Sequence, residues 1–154
     1  MSYQPENIVA HLAARIGGAT TMVAAGAGDN TEISGDYIDR QGFDSCLVVI
    51  SWRTTLTAAK TLTLSSNIQD ATDASGTGVA DYGVVADGET LPAAVVHTGA
   101  VTADFGVASY GVNLRMANQF IRAQFLGDLS HTSADVADIA CAIILGGAQE
   151  LPAS

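Results

Sequence analysis

Carboxylates are the most abundant side chains here that could do chemistry. The 154-residue sequence holds 16 Asp and Glu against six Lys and Arg, with three His. Five oxygen donors crowd one stretch (Asp29, Asn30, Glu32, Asp36 and Asp39), and Asp70, Asp73 and Asp81 form a second group. Calcium is held by oxygen ligands gathered from loops, so these groups are the ones to test. Neither follows the D-x-[DN]-x-[DN]-G order of a calcium loop. Both read as exposed loop carboxylates, and no metal ligand is assigned. His11, His97 and His131 occupy three unrelated settings, and no Ser sits in a G-x-S-x-G elbow, which leaves no catalytic residue to name. The segment GAGDN (26–30) begins like a dinucleotide fingerprint, but Thr31 stands where the third glycine belongs and no G-K-[ST] follows. No cofactor is expected. A carboxylate pair for glycoside hydrolysis is a spatial property, yet four Phe, four Tyr and one Trp provide few platforms for a sugar. The chain reads as non-enzymatic.

The elements around these residues are mostly strands. KTLTLSSNIQ (60–69) has Leu62, Leu64 and Ile68 on one parity and Thr61, Thr63, Ser65, Asn67 and Gln69 on the other, the alternation of a half-buried antiparallel strand. DSCLVVISW (44–52) is a nearly continuous apolar run with β-branched residues and reads as a buried central strand. Short strands are expected at 20–24, 31–34 and 79–86, a hairpin from 93–98 and 100–105 across Thr98-Gly99, and strands at 110–116 and 119–126. DVADIACAIIL (135–145) fits a strand by alternation, while its alanines also allow a helix; its β-branched tail and Gly146-Gly147 favour the strand. At the start, Pro5 and the spacing of Ile8, Leu12 and Ile16 predict a short helix over 5–16, stopped by Gly17-Gly18. Three turns are marginal in water, so this helix either caps its own domain or grips a partner. The expected fold is all-β: an antiparallel β-sandwich, jelly-roll-like or Ig-like, with residues 1–18 as an N-terminal helix or arm and 19–154 as a single domain.

Composition narrows the partners. Net charge is −10, which disfavours phosphate backbones and anionic membranes. Charged residues are only 14%, about half the usual share, and Ala, Thr, Gly and Ser take their place. A surface of small neutral residues suits a protein that sits against neighbours. No run is apolar enough to span a bilayer, and MSYQPENIVAHLAARIGG lacks the features of a secretory signal. Synthesis in a host cytoplasm is expected. Cys46 and Cys141 lie in apolar runs and read as core thiols, with a disulfide as the alternative.

Four stretches carry a resemblance: AGAGDNTEISGDYIDRQGFDSCLVVISW (25–52), LTLSSNIQDATDASGTGVADYG (62–83), FIRAQF (120–125) and AIILGGAQELP (142–152). Together they resemble small β-sandwich structural proteins of tailed bacteriophages, among them head decoration or cement proteins. The resemblance implies a virion protein on the capsid surface, bound to the major capsid protein, in homotrimers or other homo-oligomers. A tail, neck or fibre component and a carbohydrate-binding or adhesion module are the alternatives. Within that picture Ile8, Leu12 and Ile16 are the expected capsid-contact arm.

Overall fold

A computed structural model describes residues 11–82, 91–99, 103–130 and 134–148. Ten strands form two sheets: β1 (Ala13–Val23), β2 (Thr31–Ser34), β3 (Ile38–Asp39), β4 (Phe43–Thr55), β5 (Thr61–Ala71), β6 (Ala80–Tyr82), β7 (Leu91–Thr98), β8 (Ala103–Asn113), β9 (Phe120–Leu129) and β10 (Val136–Ala148). The first sheet runs β1-β10-β4-β8. The second runs β2-β9-β5-β6, with β3 also on β9 and β7 also on β5. Every pairing is antiparallel. Early strands pair with late ones, β1 with β10, β2 with β9 and β4 with β8, as if one long hairpin had been wound into a sandwich. That nesting is a jelly roll, which settles the choice left open between jelly-roll-like and Ig-like arrangements.

Alternation built the core as expected. Leu62, Leu64 and Ile68 of β5 are fully buried, facing Ile50, Val48, Ile139, Ile143 and Leu145 of the other sheet's strands within one hydrophobic cluster. The 135–145 segment is a strand from Val136 onward. Other expectations fail, and the strand expected at 110–116 stops at Asn113, with Met116 in the turn that follows. Residues 13–16, read as the end of a helix, are the start of β1: Ala13 pairs with Leu145 and Ile16 with Ala142. The spacing of Leu12 and Ile16 is a local cue, and ladder pairing with β10 overrides it. Gly17-Gly18 is a register shift in that ladder, with Gly18 at φ +128°, rather than a helix stop. Residues 13–18 therefore belong to the sandwich, while residues 5–10, and Ile8 with them, lie outside the described residues. The hairpin expected across Thr98-Gly99 is also absent, because β7 pairs with β5 and β8 with β4, so the chain changes sheets there.

Candidate association face

The residues that prompted a search for chemistry do not converge. Asp29 accepts from the backbone N–H groups of Ala25 (2.6 Å) and Leu129 (2.8 Å). Asp39 accepts from Gln41 N (2.8 Å) and Gln119 Nε2 (3.0 Å), and buried Asp70 accepts from Asn118 N (2.7 Å). Asp73 accepts from the amides of Ser75 and Thr77 and the hydroxyl of Ser75, which hold its carboxyl well below the usual carboxylate range. These carboxylates fasten turns to strands. Among the described residues no group of three or more His, Cys, Asp or Glu is arranged to hold a metal ion. His97 pairs through Nδ1 with Asp104 at 3.2 Å, His11 lies in the turn before β1, and His131 lies outside the described residues.

Cys46 and Cys141 are free and buried. They sit on neighbouring strands, but Cys46 is opposite Leu145 and Cys141 opposite Ile50. A four-residue offset along the ladder is about 13 Å, beyond disulfide reach. Burial pushes both thiols up to about 12, so they are inert at neutral pH.

The contrast between the two outer faces is what marks this molecule. On the outside of the second sheet, side-chain amides and charges satisfy each other from strand to strand. Gln124 Nε2 donates to Glu32 (2.6 Å) and Ser34 (2.9 Å). Asn67 and Gln69 donate to Asp81, and Arg122 donates to Gln69 while its guanidinium covers the Tyr37 ring at 4.7 Å. This is a polar face, solvated at Glu32, Ser34 and Asp81, with Gln124 buried.

The outside of the first sheet is different. Register aligns five rows across β1, β10, β4 and β8: Ala14-Ile144-Leu47-Gly111, Ile16-Ala142-Val49-Ser109, Ala19-Ala140-Ser51-Val107, Thr21-Asp138-Arg53-Phe105 and Val23-Val136-Thr55-Ala103. None of these twenty residues is buried. Ile16 is 82% exposed, Phe105 70%, Val107 63% and Leu47 40%. Only two are charged, and both lie in one row. Asp138 accepts from Thr21 Oγ1 at 2.7 Å, and the Arg53 guanidinium lies 5.8 Å from the centre of the Phe105 ring. Two shallow apolar grooves run over the sheet, one near Leu12, Leu47 and Ile144, the other between Ala19, Phe105 and Ala140. At normal strand spacing the whole face, apolar and polar residues together, covers about 550 Å² in projection.

Of the three arm residues, Ile16 projects from this face and Leu12 lies at its end beside Gly146. Sequence reasoning missed the rest. DSCLVVISW reads as a buried central strand, whereas its Leu47 and Val49, with Ala142 and Ile144 of the neighbouring strand, point outward and are not covered. The available signal was the low charge content: a continuous apolar strand with one face uncovered is a strand prepared for a neighbour.

No protein-family model matches the sequence, and no curated protein matches it. Solved structures do match. A structure of infectious bursal disease virus, Gx strain, aligns over 92% of this chain at 12% identity and TM-score 0.47. The VP2 subviral particle of that virus aligns over 90% at 10% identity and TM-score 0.47, and T=1 particles derived from a VP2 mutant align over 87% at 18% identity and TM-score 0.40. This chain spans about a third of the length of each. At these identities and scores, no activity or partner passes from those proteins to this chain. They correct the tailed-phage expectation all the same. The matched proteins belong to infectious bursal disease virus, and two are the VP2 of particles, not a decoration or cement protein bound to a phage's major capsid protein. The tail, neck or fibre alternative, a phage part, falls with that expectation. What the matched structures have in common with the expectation is coarse: they are themselves of a virus and of its particles.

Proposed function

We propose that this chain is a non-catalytic structural module that works by laying the outer face of its β1-β10-β4-β8 sheet flat against another protein surface within an assembly. The observation that carries this is the difference between the faces: one closes its polar groups on itself, the other presents apolar and small side chains with a single Arg and a single Asp. Leaving such a face in water forgoes about 25 cal/mol for each Å² of apolar surface, which favours a covered state. Leu12 and Ile16 are part of the working surface in this reading. A virus particle is the setting the jelly roll suggests by fold analogy, since shell proteins use this winding.

The test is sedimentation of the epitope-tagged chain from its native source. The wild-type chain is expected in fast-sedimenting material, and a Val49→Lys/Ala142→Lys variant at the top of the gradient. A Thr63→Lys/Ser65→Lys variant on the solvated face should behave as wild type. A wild-type chain that sediments as a free 15.7-kDa protein refutes the proposal.

A further inference from the structure

We infer that the occupant of the uncovered face is a second copy of this chain, packed face to face about a twofold axis that runs along the strands between β10 and β4. This rests on the reading of the face given above and adds the identity and geometry of the partner.

Charge gives the first argument. The chain carries −10, so two copies repel unless they meet where charge is balanced. The twenty-residue face is balanced, with Arg53 and Asp138 its only charges. The solvated face carries Glu32 and Asp81 against Arg122, an excess of negative charge that two copies would bring together.

The position of those two charges selects the axis. Arg53 and Asp138 are cross-strand neighbours in one row, on the two central strands. An axis along the strands keeps every row on itself and exchanges β10 with β4 and β1 with β8. Arg53 of each copy then lies over Asp138 of the other, giving two ion pairs that the interface encloses. An axis in the same plane but across the strands reverses the rows and sets Arg53 and Asp138 on the apolar row of Val49 and Ala142, so that both charges lose water and neither gains a partner from the other copy.

Bulk follows the same symmetry. On the edge strands, β1 is large at Ile16 and Val23, and β8 is large at Val107 and Phe105. The strand-parallel axis sets Ile16 over Ser109, Val107 over Ala19 and Val23 over Ala103, large against small each time. Between the central strands it sets Val49 over Ala142. Aligned packing of two sheets within about 30° is the ordinary sandwich arrangement. Area is sufficient: two projected faces remove about 1,100 Å² from water, above the ~1,000 Å² that a specific interface needs.

Sedimentation velocity on the purified full chain tests this, with a charge swap to follow it. The wild type should show a concentration-dependent dimer between about 1 and 300 μM, a range ordinary for a small specific interface. Arg53→Asp and Asp138→Arg each set like charges together twice and should weaken the dimer about tenfold or more. The double variant, Arg53→Asp/Asp138→Arg, should recover most of the loss. Both sites are exposed, and unchanged near-ultraviolet circular dichroism confirms that each variant folds. A dimer indifferent to the single changes overturns the inferred geometry while leaving the face as the association surface. Failure of the double variant to recover also overturns it. A wild type that stays monomeric throughout overturns the second copy as occupant; fast sedimentation from the native source would then assign the face to a different protein.

Discussion

Replacing Ser66 by alanine should cost more stability than replacing Tyr110 by phenylalanine, although the two residues share one hydrogen bond. Ser66 on β5 lies 2.6 Å from the Gln124 carbonyl of β9 and 2.8 Å from the hydroxyl of Tyr110 on β8. A carbonyl only accepts, so the single Ser66 proton goes to Gln124 and the Tyr110 hydroxyl donates to Ser66. This directed chain ties the two sheets together through the core, where Ser66 and Tyr110 are buried. Tyr110→Phe removes the first donor and leaves Ser66 still donating, a loss of about 1 kcal/mol. Ser66→Ala removes the bond to Gln124 and strands a buried phenol without an acceptor, about 2–3 kcal/mol. Once the phenol is gone, Ser66→Ala costs only its own bond, so the double variant should be no less stable than Ser66→Ala alone. Urea unfolding of the four proteins gives the cycle directly, and for a domain of this size each kcal/mol corresponds to about 2–4 °C in Tm. Additive losses, or a Tyr110→Phe variant weaker than Ser66→Ala, would refute the assigned donor direction.

Gly106→Ala places a methyl inside the indole of Trp52 across the β4–β8 pair. It should cost about 1–3 kcal/mol by overpacking and shift the emission of the only tryptophan. Arg40 donates to the carbonyls of Asn118 (3.0 Å), Phe43 (3.2 Å) and Ala117, closing the loop before β4 onto the one before β9. Arg40→Lys cannot span all three, and thermal unfolding should register a loss of about 1.5–3 kcal/mol. Stability should also fall at alkaline pH. The thiols of Cys46 and Cys141 are raised to about 12 in the folded chain against about 8.5 when unfolded. The native state keeps protons that the unfolded state releases, so stability is full below about pH 8.5 and declines toward pH 12, by up to about 1.4 kcal/mol per pH unit for each thiol. Urea midpoints at pH 8, 9 and 10 check this, and a Cys46→Ala/Cys141→Ala variant should show a much shallower decline between pH 9 and 10.

The jelly roll was readable in the sequence wherever one strand face is apolar and the other polar. Leu62 to Gln69 is the clearest case, because its apolar face is in the core and its polar face is half-buried, as the alternation requires. Elements decided by distant partners were not readable. Leu12 and Ile16 have helical spacing, yet pairing with β10 makes residues 13–16 a strand. Thr98-Gly99 looks like a hairpin turn, yet β5 and β4 take the two arms into different sheets. The association face was hidden for a related reason. In Cys46–Ile50 both parities are apolar, and apolar character alone does not distinguish a side chain facing the core from one facing a neighbour. Only register shows that Leu47, Val49, Ala140, Ala142 and Ile144 share an outer surface, and that Arg53 and Asp138 stand side by side on it.

The most direct measurement of the central claim is carbene footprinting of the chain in its assembled and dissociated states. Assembly should protect Leu47, Val49, Val107 and Phe105 and leave Glu32, Asn67 and Gln69 as reactive as before. Protection of the Glu32, Asn67 and Gln69 face, with Val107 and Phe105 unchanged, would contradict the account.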